Sequence, residues 1–222
     1  LASRFSYGLG YLKRPAAIEV DPVSLSLADR DAVRGQALFP VNGLGEFGGI
    51  RDAAPDAWGR RVIEARRKVP ANTLSEADYL LAAGGDRVGA LDVRPSLDTP
   101  DSPSASDLQS LQYVMQAAEA VEHGAPVPAN LEPFLGAGPS AGGARPKASV
   151  RDEQGALWLA KFPARGDAFD VAIAETCSLE LARRCGLTVP EVRYLQVGGR
   201  PAMLIRRFDR YWSAPDALPE AG

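Results

Sequence analysis

Between Pro146 and Arg206 the apolar pattern changes period twice. Two short runs, Lys147 to Arg151 and Leu157 to Phe162, are followed by a helical stretch from about Phe169 to Cys185, then by the runs Glu191 to Val197 and Arg200 to Arg206. Turn residues split each pair of runs, Asp152-Glu-Gln-Gly155 in the first and Gly198-Gly199 in the second, so two antiparallel hairpins flank one helix. The expected product is a small antiparallel sheet with one helix packed on it. The helical stripe Phe169, Ile173, Cys177, Leu181 and Cys185 repeats every four residues and is expected to lie on the sheet, which would bury both cysteines as small apolar groups.

The amino-terminal half reads differently. From Leu1 to about Phe47 the prolines Pro15, Pro22 and Pro40 and the pair Gly43-Leu-Gly45 break any long helix, and short strands and turns are expected. A helix should start at Pro55, with Trp58, Val62, Ala65 and Val69 on one face and Arg60, Arg61, Arg66, Arg67 and Lys68 on the others. A second, capped by Ser75, should stop at Gly84-Gly85, and Val88 to Val93 reads as a strand. Residues 95 to 107 are linker-like in composition. The stripe Leu108, Leu111, Met115, Ala118 and Val121 then forms a helix ending near His123 and Gly124, before a stretch with Pro126, Pro128 and Pro133. The expectation is an α+β chain in three parts: a β-rich amino-terminal subdomain (1–94), a linker and connecting helix (95–127), and the sheet-and-helix lobe (128–222).

Composition closes several functional classes. With 45% hydrophobic and 24% charged residues and no apolar run near the roughly 20 residues of a membrane span, a cytoplasmic chain is expected. A net charge of −3 gives no whole-molecule attraction to nucleic acid or to a membrane surface, so direct DNA binding is not expected. One histidine and two cysteines leave almost no room for a His/Cys metal cluster or a histidine-based triad. The chain begins at Leu1 without methionine and ends in a loose Pro/Ala/Asp/Gly stretch, which suggests a piece of a longer protein.

The chemistry concentrates in Gly138-Pro-Ser-Ala-Gly-Gly-Ala-Arg-Pro-Lys147 and in Lys161. Glycines let backbone N–H groups turn inward on an anion, and a lysine that interrupts the apolar strand Leu157-Trp-Leu-Ala-Lys-Phe162 carries a charge in need of a partner. A nucleotide phosphate is one such partner. The run lacks the glycine spacing of a Walker A motif and has no Ser or Thr directly after Lys147, so it reads equally well as a Gly/Ala/Pro linker. An edge-strand lysine reaching solvent remains open for Lys161. Glu175 is placed to reach Lys161 across the sheet, or else it is a solvated helix glutamate.

Several separated segments resemble the HipA-type serine/threonine kinases, the toxins of bacterial toxin–antitoxin pairs. These are Asp56-Ala-Trp-Gly-Arg-Arg61, Gly85-Asp-Arg-Val-Gly-Ala90, Ser140 to Lys147, Ala160-Lys-Phe-Pro163, Glu175, Gly186-Leu-Thr-Val-Pro190 and Arg207-Phe-Asp-Arg210, in the family's order. The resemblance implies a kinase-like amino-terminal lobe that binds ATP. Lys161 would hold the α/β-phosphates and Glu175 would brace it. Ser140, Ala141, Gly142, Gly143 and Lys147 would form the phosphate loop, and a hinge from Ile205 to Phe208, which includes Arg206, would meet adenine chiefly through backbone groups and Phe208. Ser140 matches a loop serine that such kinases phosphorylate on themselves, and the added charge beside a triphosphate would be repulsive. The implied partner is a HipB-like DNA-binding antitoxin dimer, with DNA reached only through it.

The loop departs from the best-known family pattern at Ala144-Arg-Pro146. No Asp with a downstream Asn stands where a catalytic loop is expected, so the carboxy-terminal catalytic lobe and its Mg²⁺ ligands are expected to be absent, and this polypeptide alone to be inactive as a kinase. Two other readings stay open: a non-catalytic or split module that docks a partner through the basic helix Arg60 to Lys68, and a small-molecule or lipid kinase of related fold.

Overall fold

The structure, a computed structural model, describes residues 3–100, 105–137, 142–212 and 219–221. Its compact units are Leu1–Ala54 and Pro55–Gly222, so the divisions expected near residues 94 and 128 both fall within the second.

The first unit holds three short helices, α1 (Leu9–Leu12), α2 (Arg30–Val33) and α3 (Gly48–Asp52). The expected β-rich subdomain does not form: among its described residues the only β-pairing is the bridge between Phe5 and Leu38. Side chains take the place of a ladder. Tyr7 donates its hydroxyl to Leu25 O and accepts from Val20 N–H, while buried Asp21 accepts the N–H groups of Val23 and Ser24 at 2.8 Å and of Gly49 at 3.2 Å. Those backbone bonds hold the Asp21 carboxyl below the usual carboxylate range. Gly49 passes so close that a Cβ there would lie 2.0 Å from Val20 O. Tyr7, Leu25, Leu27 and Phe47 form the core beneath.

The second unit opens with α4 (Ala57–Arg67) and α5 (Glu76–Ala82), the latter started by a reciprocal capping box between Ser75 and Asp78. Helix α4 buries Trp58, Val62, Ile63 and Glu64. The Glu64 carboxylate is satisfied by the Tyr79 hydroxyl at 2.5 Å and by Asn72 N–H at 2.7 Å. No strand forms over Val88 to Val93. The carbonyls of Asp86, Arg87 and Gly89 accept instead from the guanidinium groups of Arg207 and Arg210, and Gly89 takes a positive φ of 85°.

The sheet is mixed rather than purely antiparallel. Its order is β1 (Ser106–Asp107), β2 (Lys147–Arg151), β3 (Leu157–Lys161), β5 (Arg200–Arg206), β4 (Val192–Val197), with β1 parallel to β2 and both expected hairpins present. A 3-10 turn at Leu108–Ser110 leads into α6 (Leu111–Glu122), whose Val114, Met115 and Val121 pack with Trp58 against one sheet face, Ala148, Val150, Ala160 and Leu204. A further 3-10 helix, Glu132–Ala137, contributes Leu135 to the same core. Helix α7 (Val171–Arg184) packs on β4 and β5. Two short strands, β6 (Arg210–Trp212) and β7 (Pro219–Ala221), pair separately. Among the described residues no helix is long and apolar enough to cross a membrane.

The expected sheet-facing stripe of α7 is corrected. Phe169, Ile173 and Leu181 are exposed, and so are Cys177 and Cys185, which are free thiols on the surface rather than buried apolar groups. Four residues advance a helix by about 400°, so a strict four-residue repeat drifts around the cylinder by about 40° per step and leaves any one face. Glu175 reaches the sheet through Lys161, and Leu179 and Ala182, about one and two turns further along the same side of the helix, are partly covered.

Candidate functional site

Register creates the site. In the β2–β3 pair Lys147 stands directly opposite Lys161, a like-charge juxtaposition that would by itself oppose pairing. Alternation puts both on the sheet face opposite the α4–α6 core, since their neighbours Ala148 and Ala160 belong to that core. Each lysine is resolved differently. Lys161 pairs with Glu175 on α7, so these two side chains meet across the sheet. Lys147 is 6% exposed and donates from Nζ to Gly142 O at 2.5 Å. Burial, reinforced by the charge of Lys161, pulls its pKa below the usual lysine value, with Asp56 and Glu175 acting the other way.

Around this pair lies a cavity of about 860 Å³, whose walls include Gly142, Gly143, Lys147, Leu159, Lys161 and Glu175. The first turn of α7 also lines it through Val171 and Ala172, and a helix amino terminus favours anions. Gly143 has a φ of +96°, and a Cβ there would lie 2.7 Å from Lys147 Nζ, so only glycine lets the ammonium reach back over the segment. Two further carboxylates border the space. Asp167 accepts from Arg145 at 2.6 and 2.5 Å, a contact that lowers its pKa. Asp170 caps Ile173 N–H and accepts the Tyr194 hydroxyl at 2.7 Å, raising the tyrosine pKa.

Five residues singled out from the sequence therefore share one cavity: Gly142, Gly143, Lys147, Lys161 and Glu175. Ser140 and Ala141 lie outside the described residues. Arg206 and Phe208 are not among the walls. Arg206 registers with Trp158, on the α6 side of the sheet, and its side chain pairs with Glu191 at 3.7 Å, while Phe208 is 84% exposed. The Arg145–Asp167 pair escaped the sequence reading because nothing local links residues 22 positions apart.

A second groove, about 970 Å³, runs between α4, the end of α6 and the Glu132–Ala137 turn. Its wall is mainly apolar, and Lys68 there is paired with Glu132. On the basic side of α4 Arg60 pairs with Glu76, Arg61 with Glu122 and Arg67 with Asp78.

Residues 139–219, which contain the glycine-rich segment, both lysines and α7, match the family described as HipA-like C-terminal domain. This part of the chain is thus similar to HipA-like C-terminal domains, on an α+β frame with a small mixed sheet. No curated protein matches the chain.

Proposed function

We propose that the cavity beside α7 is the ATP site of a HipA-like serine/threonine protein kinase, and that residues 128–222 form its nucleotide-binding lobe. The observation that carries this reading is the Lys161–Glu175 pair: a helix carboxylate fixes a strand lysine at the wall of a cavity that also receives a second, buried lysine and a glycine-rich backbone. Lys161, oriented by Glu175, would meet the α/β-phosphates, and Lys147 with the α7 amino terminus would add positive potential. ATP supplies the transferable phosphoryl group when bound. Among the described residues the carboxylates at the cavity do not fit Mg²⁺: Glu175, Asp167 and Asp170 are each engaged by a cation or a hydroxyl, so no step is drawn through the metal. Autophosphorylation at Ser140 and neutralisation by a HipB-like DNA-binding antitoxin belong to the same reading and rest on the resemblance of the sequence segments.

Calorimetric titration of the chain with ATP, with and without Mg²⁺, tests it. Wild type should bind in the micromolar to millimolar range. Lys161→Ala should lose one charge-assisted phosphate contact, about 1.5–3 kcal/mol or roughly ten- to hundredfold in affinity. Absence of binding by wild type, or equal affinity in the variant, would contradict the assignment.

A further inference from the structure

The glycine-rich segment is held from outside by the start of α4. Asp56, the residue that precedes the helix, accepts Gly143 N–H through Oδ2 at 2.6 Å. Trp58 N–H donates to Gly143 O at 3.0 Å, and its indole Nε1 donates to Lys147 O at 2.8 Å. Arg61 reaches Ala144 O at 2.7 Å from Nη2, while its other nitrogen meets Glu122 at 3.1 Å and the guanidinium lies over the Trp58 ring. Backbone groups of residues 143, 144 and 147 are thus read by one helical turn more than 80 positions away in sequence. The approach is close enough that a Cβ on Gly142 would lie 3.0 Å from Asp56 Oδ2.

We infer that Asp56, Trp58 and Arg61 are positioning residues that preset the glycine-rich segment for the anion site, a role that rests on the nucleotide reading above for its functional consequence. None of the three is among the cavity walls apart from what they hold. Their anchor is rigid: Trp58 is fully buried in the core with Ala148 and Ala160, so the indole that grips Lys147 O is itself fixed by packing. Arg61 adds the third grip, and its bond to Glu122 ties the clamp to α6 as well. A segment with two adjacent glycines has many conformations to lose, and fixing it before ligand arrives removes that cost from binding.

Charge makes the test discriminating. Asp56 is a carboxylate near an anion site, so removing it should strengthen phosphate binding if Coulomb interaction alone mattered. The clamp requires the opposite for alanine. Asp56 is exposed, so its variants should fold. The experiment is amide hydrogen exchange by NMR on the ¹⁵N-labelled full chain without nucleotide, together with ATP calorimetry, for wild type, Asp56→Ala, Asp56→Asn and Arg61→Met. Asp56→Ala should lose Gly143 protection by about tenfold or more and weaken ATP binding several-fold. Asp56→Asn, which keeps an acceptor oxygen, should stay within about twofold of wild type on both readouts. Arg61→Met should expose the segment to a lesser degree. Unchanged Gly143 protection in Asp56→Ala overturns the proposal, and so does lost protection with ATP affinity equal to or better than wild type. Absence of ATP binding by wild type, with the expected exchange pattern, removes the nucleotide reading and supports the clamp, because the exchange arm contains no nucleotide.

Discussion

Replacing Lys147 by methionine should make the ligand-free protein more stable and a poorer binder of phosphate. Its side chain lies opposite Lys161 in the strand register, is 6% exposed, and has Gly142 O as a hydrogen-bond acceptor at 2.5 Å. Desolvating an ammonium costs several kcal/mol, and its bond to a carbonyl and its attraction to nearby carboxylates return only part of this, about 1.5–3 kcal/mol for the bond. The lowered pKa has the same sign: the surroundings disfavour the charge. Methionine fills a similar volume without a charge, so a net gain of roughly 1 kcal/mol is expected. All three tryptophans lie beyond Pro55, so urea unfolding followed by tryptophan fluorescence reports the second unit alone. The midpoint should rise with an unchanged m value. ATP affinity should fall by about tenfold or more as a charge-assisted contact disappears. Destabilisation by more than about 1 kcal/mol would refute the reasoning, because it would make Lys147 a structural counter-ion rather than a cation held in wait for an anion.

The same lysine predicts a pH effect. Its free-state pKa lies below the usual lysine value, and a bound phosphate should restore it, so in the pH window between the free-state and bound values ATP binding should take up protons, and affinity should fall as pH rises through the free-state value. Calorimetry in buffers of different ionisation enthalpy reads that uptake, which Lys147→Met should abolish. In the first unit Asp21 has a folded pKa below its unfolded one, so the stability it contributes is present above the ordinary carboxylate pKa and is lost as pH falls through the lowered folded value. Asp21→Asn should cost about 1–3 kcal/mol at neutral pH, since one oxygen that accepts an N–H becomes an NH₂ facing it, and should flatten the acid limb of an unfolding profile followed by tyrosine circular dichroism.

Both hairpins and the helices α4, α5 and α6 were legible because each is local: glycine pairs, a Ser75-Asp78 cap and an apolar stripe act within about one turn of themselves. What the sequence hid was long-range. Asp21 and Tyr7 hold the first unit by capturing backbone groups that a strand ladder would otherwise use, and no periodicity announces a carboxylate serving Val23, Ser24 and Gly49 at once. Likewise Arg207 and Arg210 take the carbonyls of residues 86, 87 and 89, and so remove a strand that residues 88–93 suggest on apolar content alone.

Lys161 and Glu175 were recognisable because a charge inside an apolar strand demands a partner. One step along β5 from Ile205 turns the Arg206 side chain to the other face of the sheet. The α7 stripe fails because a four-residue repeat leaves any one helix face, and Glu175 is the α7 residue that pairs with Lys161 on the sheet. Ala148 and Ala160 are small enough to admit the Trp58 indole against the sheet, and that same indole then reaches Lys147 O. Packing and site geometry are therefore one constraint here. A larger side chain at either alanine should displace Trp58 and, with it, the backbone of the strand that carries the buried lysine.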